Sequence, residues 1–207
     1  APPAADTVLI ESTYGDRTHP AEDLAAELAP ALKRLAARGG VAVVPVFAVG
    51  RAQALLHAIA GLKAARKIPR ALPVFLDSPM AVHTTHLFEH LSGAHRLSRQ
   101  EVDALTQCAT MVTGVDESKA LAARHGPMVI LSASGMATGG RVLHHLEHHI
   151  GDHRNMVILT GYQAPGTRGA TLASGTRSLR LHGRDLNVAA EVVQLTSASA
   201  HADGNQL

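Results

Sequence analysis

The chain has 207 residues, enough to bury one sizeable core, and its 46% apolar and 17% charged residues mark an ordinary globular composition. With 19 Lys+Arg against 17 Asp+Glu the net charge is only +2, so there is no global basic field and any anion must be held by local geometry. Two Tyr, three Phe and no Trp argue against nucleic-acid recognition on aromatic platforms, and the single Cys108 excludes an internal disulfide or a cysteine-rich zinc cluster.

In chain order, "TVLIE" (7–11) predicts a first strand, followed by a helix over 21–38 that Pro30 should kink. "VAVVPVF" (41–47) predicts a second strand and 50–66 a second helix. "PVFLD" (73–77) follows, and Ser78-Pro79, with Ser as N-cap and Pro in the first helical position, opens a helix over 79–92. "ATMVT" (109–113), "PMVILSA" (127–133) and "NMVILTGY" (155–162) are further strands, alternating with helices near 116–125, 139–150 and 167–174. Several of these strands are continuously hydrophobic, as expected when both faces of a parallel sheet are covered. The expectation is an α/β fold: a doubly wound, mostly parallel sheet with helices on both faces. "RSLRLHG" and "LNVAAEVVQLTSAS" alternate like antiparallel strands joined by a His182–Asp185 turn, a short C-terminal hairpin. No apolar run reaches the roughly 18 residues of a membrane helix. The first residues carry no basic-then-apolar signal pattern. A cytoplasmic setting without membrane association is expected. Residues 1–207 read as a single domain of a longer protein.

In an open parallel sheet, ligands bind outside the carboxyl ends of the strands. Three strand-to-helix turns there share a pattern: Arg51 follows Gly50, Arg141 follows Gly139 and Gly140, and Arg168 lies between Gly166 and Gly169. Arginine in a helix's first turn opposes the macrodipole, whereas helix N-termini favour anions. Arg51, Arg141 and Arg168, with Ser134, Gly135, Gly139 and Gly140 of "SASGMATGGR", are therefore candidate phosphate-binding residues of one groove. The plain alternative is that each arginine reaches solvent or pairs with an acid and each glycine only makes a turn.

"RVLHHLEHHI" (141–150) contains H-x-x-E-H at His144, Glu147 and His148, a zinc-peptidase pattern. On a helix, Val142, Leu143, Leu146 and Ile150 are expected to face the core. His144, His145 and His148 are expected to face water, with His149 at the flank. No third ligand is evident, so a solvated face is the preferred reading and no metal ligand set is expected in this chain.

The turns, taken together, resemble one family. "IESTYGDR" (10–17), "PVFAVGRAQALL" (45–56), "LDSPMA" (76–81), "ESKAL" (117–121), "SASGMATGGRVLHHL" (132–146), "GYQAPGTRG" (161–169) and "SAHAD" (199–203) look like the β-CASP domain of metallo-β-lactamase-fold RNA nucleases. The likeness extends to the cleavage and polyadenylation nuclease and its bacterial and archaeal relatives, and runs from about Val8 to Asp203. It implies that a metallo-β-lactamase domain from flanking sequence clamps single-stranded RNA against this one. Two zinc ions in the parent protein would then activate water for phosphodiester hydrolysis. By this likeness Glu11 matches motif A and His201 motif B: His201 would protonate the leaving oxygen, and Glu11 would orient it. The family's H-x-H-x-D-H zinc motif and motif C histidine are absent from this sequence, and Ala198 stands where relatives usually carry an aromatic. The isolated chain is thus expected to be inactive and to hold no zinc. Its expected partners are single-stranded RNA and the metallo-β-lactamase domain, with a homodimer left open. The alternative from another class is a non-catalytic nucleotide- or phosphosugar-binding α/β domain, which would prefer a mononucleotide to an oligonucleotide.

Overall fold

Five short runs rich in Val, Ile and Leu, together with Thr110–Val112, assemble into one sheet. The computed structural model describes residues 4–19, 23–199 and 201–207. The strands are β1 (Val41–Pro45), β2 (Val74–Asp77), β3 (Thr110–Val112), β4 (Met128–Ser132), β5 (Met156–Thr160), β6 (Ser178–Leu181), β7 (Arg184–Asn187) and β8 (Glu191–Leu195). Six form a parallel sheet in the order β3-β2-β4-β1-β5-β8, and β6 and β7 form a separate antiparallel hairpin. The helices are α1 (Leu24–Arg38), α2 (Arg51–Ala64), α3 (Pro79–His90), α4 (Arg99–Gln107), α5 (Val115–Ala122), α6 (Val142–His149) and α7 (Arg168–Ala173). This is the expected doubly wound α/β architecture.

Strand periodicity divides the core in two. Ala42 and Val44 pack with Leu32, Leu35, Leu55 and Ile59, so α1 to α4 cover one face. Val41 and Val43 pack with Leu121, Val142, Leu146 and Leu172, so α5 to α7 and the hairpin cover the other. Every residue of β1, β2, β4 and β5 is buried, which explains their uninterrupted apolar sequence. Central β1 ends at Pro45, where a missing amide costs no interior ladder bond. From β1 the chain departs to α2 on the first face, whereas its neighbours β4 and β5 depart to α6 and α7 on the other. That reversal opens a crevice at the carboxyl end of β1.

Four expectations need correction. Residues 7–11 form no strand: Leu9 is 95% exposed, and among the described residues the segment has no neighbour to complete a ladder. The N-terminal stretch instead pairs at a single parallel bridge, Tyr14 with Asp203. Helix α4 was not anticipated, because only Val102 and Leu105 supply its apolar stripe. Its start signal was nevertheless present, since Ser98 and Glu101 form a reciprocal capping box. The stretch 186–199 does not belong to one hairpin: the two-residue turn His182–Gly183 joins β6 to β7, and β8 crosses back to pair parallel with β5. Finally, His145 and His149 do not face water; both are buried. His149 lies only about 20° around the helix from Val142, and His145 meets a buried carboxylate. Residues 21 and 22 of the expected first helix lie outside the described residues; α1 itself runs unbroken through Pro30. Among the described residues no helix is long and apolar enough to cross a membrane.

The buried His149 ties folding to pH. Its Nε2 has no partner. Burial lowers its pKa from 6.5 to about 4, helped by the neighbouring His145, His148 and His125. The folded chain keeps this ring neutral while the unfolded chain takes up a proton below about pH 6.5, so stability falls as pH drops from there toward 4. The shift corresponds to roughly 3 kcal/mol. Urea unfolding of His149→Phe between pH 7 and 4.5 should show a much shallower loss than wild type; identical slopes would contradict this assignment.

Candidate functional site

At the carboxyl ends of β1, β5 and β8 the chain builds a cleft around the side chains of Arg51 and His201. Arg51 opens α2 directly after β1, with Gly50 supplying the left-handed backbone of the tight turn (φ 77°). His201 follows β8. The two share a cavity of about 400 Å³ with Phe47, Val49 and Ser199. They also share a second, of about 290 Å³, with Tyr14, Met136 and Tyr162. Arg51 is half-buried, and among the described residues its guanidinium makes no hydrogen bond or ion pair. Burial lowers its pKa, partly offset by Tyr14, but an arginine stays charged regardless. A half-buried cation without a counter-charge is the pattern of a site awaiting an anion.

The Glu11–His201 pair lies beside it. His201 Nδ1 donates to Glu11 Oε2 at 3.3 Å. The same carboxylate accepts the amides of Thr13 (3.1 Å) and Ala202 (2.9 Å). The bonds from these two amides lower the pKa of Glu11. His19 donates from Nε2 to the His201 carbonyl at 2.7 Å. Asp203 accepts the His19 amide at 2.8 Å. Residues 11–19 and 201–207, far apart in sequence, thereby hold one another. The exit of β8 is clamped from α1: Glu27 accepts the amides of Thr196 and Ser197 and both of their hydroxyls.

The other sequence-predicted residues form the rim rather than a second open cation. Ser134 Oγ is spent inside its own loop, accepting the amides of Thr138 (3.0 Å) and Gly139 (3.3 Å). A Cβ at Gly135 would sit 2.8 Å from the Phe47 ring, so a larger residue there would displace that ring. Gly140 has φ 78°, and a Cβ there would meet the Ala133 carbonyl at 2.6 Å. Among the described residues the amides of Gly140 and Arg141 find no protein acceptor. Arg141 is the residue before α6, and its guanidinium turns inward. It binds Asp77 Oδ1 at 2.7 Å and the Thr113 carbonyl at 2.7 Å. Arg168 binds the Arg180 and Thr138 carbonyls at 3.0 and 3.2 Å. It braces the 134–140 loop against β6 and, among the described residues, has no carboxylate partner. The three guanidinium groups therefore do not line one groove together; only that of Arg51 is unpartnered.

Three of the five aromatic residues, Tyr14, Phe47 and Tyr162, line this cleft. Tyr14 Oη accepts the Tyr162 amide at 2.8 Å, and the two rings meet edge to face. Aromatic scarcity hid them, yet each sits within a recognisable turn: "ESTYG", "PVFAVG" and "GYQAPG". Asp77 and Ser118 were also missed, although "LDSPMA" and "ESKAL" contain them. Around His201 the carboxylates of Glu11 and Asp203 are occupied by backbone amides. The described residues there do not offer a metal donor set.

The Beta-Casp domain model matches residues 52–172. Ribonuclease TTHA0252 of Thermus thermophilus is 38% identical over 100% of this chain and 49% of its own length. Transcription termination factor FttA of Methanosarcina mazei is 32% identical over 99% of the chain and 34% of its own length. An RNase J-like protein of Methanocaldococcus jannaschii is 32% identical over 98% of the chain and 48% of its own length. The chain thus spans about half or less of these relatives. On the strength of the matched domain, and of motifs that meet at one end of the sheet, the chain belongs to the β-CASP family.

Proposed function

We propose that this chain is the RNA-gripping half of a metal-dependent ribonuclease whose remaining part is a metallo-β-lactamase domain in flanking sequence. The observation that carries the reading is Arg51, half-buried and unpartnered, facing His201 across a shared cleft. A phosphodiester supplies the missing anion. Contacts to phosphate give affinity without sequence reading, so binding is weak, salt-sensitive and nearly independent of sequence. The spare donors of Arg168 and the free amides of Gly140 and Arg141 extend the track along the rim, with Ser134, Gly135 and Gly139 shaping it. The exposed faces of Phe47 and Tyr162 allow bases to stack.

In the reaction, His201 serves as general acid and Glu11 positions it. The ionised Glu11 accepts from Nδ1, which fixes the ring and leaves Nε2 to donate to the departing oxygen. Metal ions would supply the hydrolytic nucleophile. The two zinc ions expected from the resemblance have no ligand set among the described residues of this cleft, so the chain alone is proposed to be inactive. Val8, Leu9 and Ile10, all exposed, fit a strand that completes its ladder on the flanking domain.

In the full-length parent, His201→Ala should lower single-stranded RNA cleavage by about 10²–10⁴-fold while sparing affinity; cleavage near the wild-type rate would overturn the role. Arg51→Ala should weaken RNA binding and reduce the slope of log K against log salt by about 0.7, one phosphate contact on a single strand. An unchanged slope removes Arg51 from the groove. For Arg141, whose charge is matched by Asp77, the expectation is different: Arg141→Ala should cost on the order of 3 kcal/mol of stability, because the buried carboxylate loses its counter-ion. Denaturant unfolding close to wild type would contradict that.

A further inference from the structure

The histidine-rich helix, set aside as a zinc-peptidase pattern, gains a third ligand from a distant part of the chain. His144 and Glu147 lie on the outer side of α6. The β6–β7 turn carries His182 across to them. Both turn residues are left-handed, His182 at φ 46° and Gly183 at φ 80°, a turn that usually takes Asn-Gly. The His182 ring stacks on that of His144, centroids 4.9 Å apart and planes 17° from parallel. His182 Nε2 stands 3.9 Å from Glu147 Oε2. One ligand atom from each of His144, Glu147 and His182 lies within 4.8 Å of the others.

We propose that His144, Glu147 and His182 form a binding site for a borderline divalent transition metal such as Zn²⁺, separate from the nuclease cleft. Two imidazoles and one carboxylate suit zinc, cobalt or nickel, whereas magnesium and calcium prefer all-oxygen shells. Tetrahedral zinc needs its ligand atoms about 3.4 Å apart, so separations of up to 4.8 Å must close by up to about 1.4 Å. Rotation of the two exposed imidazoles achieves this. Glu147 Oε1 is bonded to Arg184 Nη2, which leaves Oε2 turned toward His182. Arg184 is 69% exposed at its side chain and is free to swing away. The arrangement is not that of a peptidase. His148, the second histidine of H-x-x-E-H, donates from Nδ1 to the His144 carbonyl at 2.8 Å and takes no part. Bound metal clips the hairpin to α6. Because Arg168 ties the same hairpin to the 134–140 loop, the clip stiffens the rim of the cleft.

The test is calorimetric titration of Zn²⁺ into the metal-stripped 207-residue chain, with Co²⁺ absorption as a second readout of coordination. One saturable equivalent and a rise in Tm are expected. His144→Ala and His182→Asn should each cost at least about tenfold in affinity; asparagine retains the left-handed turn, so lost binding cannot be blamed on a misfolded hairpin. Arg184→Ala should bind at least as tightly as wild type. His148→Ala and His201→Ala should bind normally, the latter separating this site from the nuclease cleft. Failure to bind one equivalent, or retention of full affinity by His182→Asn, would overturn the proposal.

Discussion

A single buried carboxylate organises the edge of this molecule where the strands end. Asp77, the last residue of β2, is fully buried. It accepts Arg141 on one oxygen and Ser118 and His145 on the other, at 2.5 to 2.7 Å. Its main-chain carbonyl accepts Ser132 of β4 at 2.8 Å. Burial alone would raise its pKa; the bonds from His145, Ser118 and Arg141 outweigh that and hold it below the ordinary carboxylate value. One residue therefore ties β2, β4, α5 and α6 together, the last two through its carboxylate. It fixes the start of α6 and with it the glycine-rich loop. A buried charge of this kind is safe only while every partner is present.

The same network divides labour among arginines that look alike in sequence. Arg141 is the counter-ion of Asp77 and belongs to the scaffold. Arg168 binds carbonyls on both sides of a loop and holds that loop in place. Of the three, only the guanidinium of Arg51 has no hydrogen-bond partner among the described residues, and it lines the cleft at the sheet's topological switch point with His201. The segments carrying Glu11 and His201 reach the cleft by clasping each other through Glu11, His19, Tyr14 and Asp203. The proposed chemistry and the proposed grip thus rest on different supports, the former on the paired segments around Glu11 and His201 and the latter on the sheet edge.

Much of this was legible in the residues. The buried strands announced themselves by unbroken Val, Ile and Leu, and Ser78-Pro79 marked the start of α3 correctly, Ser78 Oγ capping the Ala81 amide. Glu11 and His201 were found only through resemblance, since a carboxylate and a histidine 190 positions apart leave no local pattern. What stayed hidden was side-chain direction. An arginine after a glycine turn looks the same whether it faces solvent or a buried aspartate, and Asp77 ends an apolar run without advertising a partner. The apolar wheel of α6 left no place for a histidine against the core, although the polar interior site at Asp77 requires one. Val8–Ile10 misled for another reason: strand propensity cannot build a ladder without a neighbour.

The central claim is that a polyanion lies in the cleft between Arg51 and His201. Its most direct test is an NMR titration of this chain with a short single-stranded oligonucleotide, following histidine ring and arginine Nε signals. The account predicts that the His201 and Arg51 resonances move together and saturate while those of His144 and His182 stay still. Movement centred on the α5–α6 surface, with His201 and Arg51 unmoved, would contradict it.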